Sequence, residues 1–227
     1  MHDYLVKLGD AQQEAAISDG GNSGKIILDL CGGSGSWSRW YARRGYDVRL
    51  ITKPYYDIME YHPPVEVHGI LCDPPVCDMT PRDVTADKRR REWESGISVI
   101  RACMRVIEET VCKWWCIQNP SGNLRQYLGK PLETFQPWEY GDPWTRKTDL
   151  YGRFKMPVRF YKRWEDVPAR IPELYIRKGR EIPSFCLQKK EAIAYIPGLQ
   201  WFEPATDAEF RGLTPPGFAN AFTLWNP

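Results

Sequence analysis

The stretch Lys25-Ile-Ile-Leu-Asp-Leu-Cys-Gly-Gly-Ser-Gly-Ser-Trp-Ser38 decides the fold. Its first six residues, Lys25–Leu30, form a short apolar run that ends in an acid, as a buried strand does. Three glycines within four residues follow, at Gly32, Gly33 and Gly35. Glycines let a backbone turn tightly and approach a ligand closely. Ser36–Arg44 then reads as a helix, ended by Gly45 with two arginines in the last turn. Tyr46–Ile51 is a second strand. A strand, a glycine-rich turn, a helix and a strand within about thirty residues predict a parallel α/β sheet.

Two more apolar runs end in the same way. Val67–Cys72 runs into Asp73-Pro74-Pro75, and Trp114–Ile117 runs into Gln118-Asn119-Pro120. Prolines stop a strand and stiffen the turn after it. Open α/β sheets bind ligands at the carboxyl ends of their strands, so three polar turns there mark a candidate site. Between the runs, Ile97–Val111 carries apolar residues at helical spacing, and Arg82–Trp93 reads as an exposed helix or loop. Trp114 and Trp115 are adjacent on a strand, which puts one on each face.

The glycine loop is neither G-x-G-x-x-G nor a P-loop, since no third glycine and no Gly-Lys-Ser/Thr follow. A strand-end acid beside such a loop suits the ammonium of S-adenosylmethionine. Cofactor-binding candidates on this basis are Asp29, Cys31, Gly32, Gly33, Gly35, Trp37, Thr52, Asp57 and Asp73.

Composition narrows the class. The 227 residues carry 31 Lys and Arg against 29 Asp and Glu, which argues against a uniformly basic binder. Charge is nevertheless uneven: residues 151–190 hold eleven basic and four acidic side chains. No stretch approaches the ~20 apolar residues that span a bilayer. The amino-terminal sequence lacks the layout of a secretory signal, so a cytoplasmic location is expected. Seven cysteines, an odd number without C-x-x-C, and three histidines at no metal-ligand spacing predict reduced thiols and no metal site. The expected organisation is a flexible lead-in over 1–24, a cofactor-binding domain over 25–150, a small basic annex over 151–206, and a segment over 207–227 that packs back on the domain.

In order along the chain, these elements resemble the cytosine-C5 DNA methyltransferases, in particular the short methyltransferase-like proteins of bacteriophages and prophages. Asp29-Leu-Cys-Gly-Gly-Ser-Gly35 is similar to that family's cofactor loop, and Pro75-Val76-Cys77 stands at its Pro-Cys nucleophile turn. Gln118-Asn119-Pro120 stands at its Glu-Asn-Val or Glu-Asn-Pro element. Tyr140-Gly-Asp-Pro-Trp-Thr-Arg146-Lys-Thr148 resembles its Tyr-Gly-x-Pro-Gln-x-Arg-x-Arg segment, and Arg211-Gly-Leu-Thr-Pro215 its late Arg-x-Leu-Thr-Pro. The resemblance covers about residues 25–225. It implies a doubly wound, mostly parallel sheet, S-adenosylmethionine as cofactor, and DNA as partner with the target base flipped out. It also implies Cys77, Asp73, Pro75, Gln118 and Arg146 as the catalytic set.

The sequence departs from the family at several places, among them Thr52, which stands where many such enzymes carry an acid for the ribose hydroxyls, and Trp144, which stands at the family's Gln. Val76 occupies the cysteine position with Cys77 one residue later, Gln118 replaces the glutamate, and Thr148 replaces the second arginine. Three activities therefore stay open. One is C5 methylation of cytosine with low sequence specificity. Another is methylation of an exocyclic amine, N4 of cytosine or N6 of adenine, with Asp73-Pro74-Pro75 as the amine-binding turn. The third is a binding protein that keeps the fold without the chemistry. Arg89, Arg90, Arg91 and Trp144 are the DNA-contact candidates: the arginines for phosphate, the tryptophan for stacking on a base.

Overall fold

The computed structural model describes residues 21–75, 85–168, 176, 177, 179–181, 193, 196, 199, 201–204 and 206–227. The expected α/β class holds. Six strands form one mixed, mostly parallel sheet: β1 (Ile26–Leu30), β2 (Asp47–Ile51), β3 (Gly69–Cys72), β4 (Trp114–Pro120), β5 (Glu133–Phe135) and β6 (Thr148–Arg153). Their spatial order is β2-β1-β3-β4-β6-β5. β1 pairs in parallel with β2 and β3, and β3 with β4, whereas β6 runs antiparallel to β4. A two-stranded ribbon, β7 (Ile176–Arg177) and β8 (Arg180–Glu181), stands apart from this sheet.

Strand alternation sorts the side chains onto two faces. Leu28 and Leu30 of β1, Ile70 and Cys72 of β3, and Ile117 of β4 share one face and one buried cluster. The helix α2 (Ala86–Glu108) joins that cluster through Ile97, Ile100, Cys103, Val106 and Ile107, spaced three and four residues apart. Burying each such aliphatic side chain is worth about 1.5–3 kcal/mol. Trp114 points to the other face. There Tyr41 of the short helix α1 (Arg39–Ala42) stacks on it at 5.4 Å. Gly69 makes room for this ring, since a Cβ at that position would lie 2.2 Å from it. Trp115 packs instead on the α2 side, so the two adjacent tryptophans do face opposite ways.

Five elements differ from the sequence expectation. Arg82–Trp93 and Ile97–Val111 are not separate: from Ala86 onward they are one helix of 23 residues, capped by the Thr85 hydroxyl, which accepts from Lys88 N. Gly96 inside it marks no break. β4 runs past Ile117 through Gln118, Asn119 and Pro120, because these residues pair with Leu150, Asp149 and Thr148 of β6. Neither β5, β6 nor the short helix α3 (Arg125–Leu128) was legible in the aromatic, turn-rich text of 122–157.

The chain divides into two compact units. The first comprises the described residues up to Thr134 together with Thr148–Phe154 and holds most of the sheet. The second comprises Phe135–Lys147 and the described residues from Lys155 onward. Within the second unit, helices α4 (Asp207–Arg211) and α5 (Pro216–Trp225) lie on either side of Thr214-Pro215. Pro216 suits the first position of α5, where its missing N–H is no loss. The α5 amino terminus is capped by Asp142, whose carboxylate accepts from Gly217 N at 3.0 Å and Phe218 N at 3.4 Å. Phe135 stacks on Phe218 at 3.9 Å. Asn226 fastens the chain end by accepting from Lys155 N and donating to Lys155 O.

Among the described residues, no helix is long and apolar enough to cross a membrane.

Candidate functional site

β1, β3 and β4 are mutually parallel, so their carboxyl ends lie on one edge. β2 and β3 flank β1 on opposite sides, which makes the β1/β3 edge the point where strand order reverses, the place where open α/β sheets bind their ligands. The glycine loop leaves β1 there, and Asp73 leaves β3 there; Asp73 N donates to Leu30 O at 3.0 Å. Asn119 of β4 completes the edge by donating from Nδ2 to Pro74 O at 3.2 Å. Two turns and the end of a third strand, distant in sequence, thus meet at one place.

The loop is built by unusual backbone. Cys31 has φ 59°, a left-handed conformation rare for a non-glycine residue, and Gly33 and Gly35 have φ 51° and 64°. Cys31 N is nonetheless satisfied by Ile51 O, and Gly35 N by Gly32 O. Gly32 has a different reason to lack a side chain: its Cβ would sit 2.3 Å from the Asp29 carboxyl carbon. The loop lies directly over that carboxyl. Gly33 has open space where a Cβ would point.

Asp29 is completely buried, and neither carboxyl oxygen meets a hydrogen-bond donor in good geometry. Burial raises its pKa to about 7; Ser38 nearby partly offsets this, and the charge of Asp73 adds to it. An uncompensated buried carboxyl costs stability, so its retention beneath a ligand-type loop needs a reason. The neighbouring thiols are neutral. Contact with Cys103, whose Sγ is 3.8 Å away, together with burial pushes the Cys31 thiol far up, and burial takes Cys72 up to about 11. Among the described residues, no group of His, Cys, Asp or Glu side chains is placed to hold a metal ion.

The remaining sequence candidates are placed as follows. Thr52 is half-buried, and its carbonyl accepts from Tyr55 N and Tyr56 N, opening the turn after β2. Asp57 binds Met59 N at 3.0 Å and Lys53 Nζ at 3.0 Å, and these contacts hold its pKa below the usual range. Pro75 is exposed and Gln118 is buried. Cys77 lies outside the described residues, as does the Arg89 side chain. Arg90 and Arg91 are exposed on α2; Arg90 lies 3.7 Å from Asp87 and 4.0 Å from Glu94.

Two tryptophans are corrected. Trp37 is 1 % exposed, a core residue with no open face for a cofactor. Trp144 is 0 % exposed in the core of the second unit, among Ile196, Leu199, Phe210 and Leu213, so it offers no face to a base. Arg146, also in the second unit, donates to the carbonyls of Arg211 and Leu213, so its guanidinium closes the end of α4.

Sequence reading missed Asp149. Its side chain is 2 % exposed and accepts from Arg125 Nε and Nη2 at 2.6 Å, Thr134 Oγ1 at 2.9 Å and Ser121 Oγ. Burial opposes its ionisation, but the bonds from Arg125, Ser121 and Thr134 outweigh that and hold its pKa below the ordinary value. Because Asp149 lies opposite Asn119 in the β4–β6 ladder, the cluster fixes the strand end that carries Asn119. The available signal was an acid next to a β-branched residue and two large ones in Thr148-Asp-Leu-Tyr151.

A scan against protein-family models gives no match, and a search of the curated proteins gives no significant one.

Proposed function

We propose that the chain is an S-adenosylmethionine-dependent DNA methyltransferase that acts on cytosine, with C5 as the target atom and low sequence specificity, built on a doubly wound sheet of the methyltransferase type. One observation carries this: the glycine loop after β1, the Asp73-Pro74-Pro75 turn after β3 and Asn119 of β4 converge at the switch point of a mostly parallel sheet. Separately each motif is weak. Their convergence, in the order that the family resemblance requires, supports the assignment.

The residues fit the cofactor on two counts. A buried carboxyl lies under the loop and, once ionised, supplies negative potential for an ammonium or sulfonium. Gly33 leaves its Cα face open to a ligand. The cofactor would supply an electrophilic methyl group. The chain's own part begins with the Cys77 thiolate, which adds to C6 of the base and makes C5 nucleophilic. Gln118 would hydrogen-bond the base edge without offering an acidic proton, and Asp73 would hold the exocyclic amine. The exposed Arg90 and Arg91 are placed on a helix surface where they can meet phosphates.

The exocyclic-amine activity is the second reading, favoured by Asp73: this carboxyl at the strand end followed by two prolines needs no cysteine to bind an amino group. Nucleoside mass spectrometry of DNA incubated with the protein and S-adenosylmethionine separates the two. 5-Methylcytosine supports the first and N4-methylcytosine or N6-methyladenine the second. Absence of all three, with DNA binding retained, leaves the binding protein that Val76, Gln118 and Thr148 point to. A covalent adduct with 5-fluorocytosine DNA that is lost in Cys77→Ala identifies the nucleophile; an adduct unchanged in that variant removes Cys77 from the mechanism.

A further inference from the structure

Asp29 is buried in a setting that answers its charge only in part. Neither oxygen has a donor in good hydrogen-bond geometry, Ser38 offsets the burial only partly, Gly32 covers it, and the charged group nearest in effect is another carboxylate, Asp73. The other titratable groups around it are the thiols of Cys31 in the loop and Cys72 at the end of β3, both pushed up and therefore neutral. Ser38, on the segment after the loop, offers only a hydroxyl and an amide. Among the described residues no cation joins these groups, so a carboxylate here meets desolvation and repulsion that Ser38 offsets only in part.

We propose that Asp29 holds a proton in the free protein and releases it to solvent when a cationic group seats at the glycine loop, so that ligand binding at this strand edge is coupled to loss of one proton. The ligand class follows: a small molecule bearing an ammonium or sulfonium near the loop. The inference rests on the proposed cofactor, and it adds a proton-linked control of its affinity. Burial places the free-protein pKa at about 7, so Asp29 is largely protonated at pH 6. A unit positive charge ~6 Å away, at an effective dielectric constant of ~20, lowers a carboxyl pKa by about two units. That suffices to empty the site of its proton. Affinity should therefore rise about tenfold between pH 5.5 and 7 and then level off.

The test is calorimetry of the full chain with S-adenosylmethionine, S-adenosylhomocysteine and adenosine, each in two buffers of different ionisation enthalpy. Expected are release of close to one proton per S-adenosylmethionine at pH 6, falling away as pH rises through 7, and the same release at pH 6 with S-adenosylhomocysteine, which keeps the ammonium. Adenosine, which carries neither cation, should release none. In Asp29→Asn, binding should be weaker than in the wild type at pH 7 and above, and what remains should show neither proton release nor pH dependence. Carboxyl carbon NMR of the aspartate-labelled wild type gives an independent readout should that variant not fold. One resonance should titrate near pH 7 in the free protein and move below pH 6 with ligand. Asp142→Asn serves as control, because burial brings Asp142 to about 7 as well. S-adenosylmethionine binding without proton release, or equal release with adenosine, overturns the inference and leaves the cofactor assignment standing. Failure of all three ligands to bind removes the cofactor assignment and the inference together.

Discussion

Asn119 Nδ2 donates to the carbonyl oxygen of Pro74 at 3.2 Å, tying the end of β4 to the turn after β3. The bond is buried, and it joins residues 45 positions apart. It is the direct link between two of the motifs that the sequence offers separately. Asn119→Ala leaves the Pro74 carbonyl short of this donor and should cost about 1–3 kcal/mol in denaturant unfolding. Any ligand binding at this edge should weaken with it, while Asn119→Asp, an acceptor facing an acceptor, should be worse than Ala. Equal stability of wild type and Asn119→Ala would contradict this role.

Asp149 holds the same strand end from the other side. Asp149→Ala leaves Arg125, Ser121 and Thr134 without their common acceptor and should lose about 3 kcal/mol of stability. Arg125 is 43 % exposed, so solvent takes up part of its loss and Arg125→Ala should cost less. Because the folded pKa of Asp149 is depressed, its contribution is complete above the unfolded value near 4 and disappears as pH falls through the folded value. Unfolding curves at pH 7 and pH 3 test both the size and the direction.

Asp29 and Asp142 have the opposite sign. Burial raises each to about 7, so between about pH 4 and 7 the folded protein binds more protons than the unfolded chain. Their stabilising share is present below about pH 4 and is lost as pH rises towards 7, by up to about 4 kcal/mol per group. Asp142→Asn keeps an acceptor for Gly217 N and should flatten this slope rather than unfold the α5 terminus. A denaturation series from pH 4 to 8 on wild type and Asp142→Asn measures the difference. An unchanged slope in the variant would show that Asp142 does not titrate there.

Gly32 and Gly33 should respond differently to alanine. At Gly32 a Cβ meets the Asp29 carboxyl carbon at 2.3 Å, so the loop must be displaced and ligand binding lost. At Gly33 the space is open, and the cost is the left-handed φ of 51° alone, about 1 kcal/mol. Thermal unfolding and calorimetry on both variants should separate a steric effect from a conformational one.

Asn226 is expected to matter despite its place next to the chain end. It is buried and bonds both polar backbone groups of Lys155, so Asn226→Ala should lower stability by about 1–3 kcal/mol. Hydrogen exchange at Lys155 should rise in the variant.

The sequence by itself determined the α/β class, four strands of the sheet and the glycine loop, because these depend on local signals: short apolar runs, positive-φ glycines and strand-ending prolines. It also determined that Trp114 and Trp115 face opposite ways, since strand geometry leaves no other choice. Only the tertiary structure decided what lies between distant residues. β6 is a strand because it pairs with β4, and β4 extends through Gln118-Asn119-Pro120 for the same reason; no local pattern announces a ladder whose partner is thirty residues away. Trp37 and Trp144 read as ligand-facing aromatics, yet both are core, because burial depends on what packs over a ring and not on the motif containing it. The strand-end acid was legible as a residue. That it lies sealed under Gly32, beside a second carboxylate and, among the described residues, without a cation, is a property of the folded edge, and it turns Asp29 from a motif letter into a titrating group.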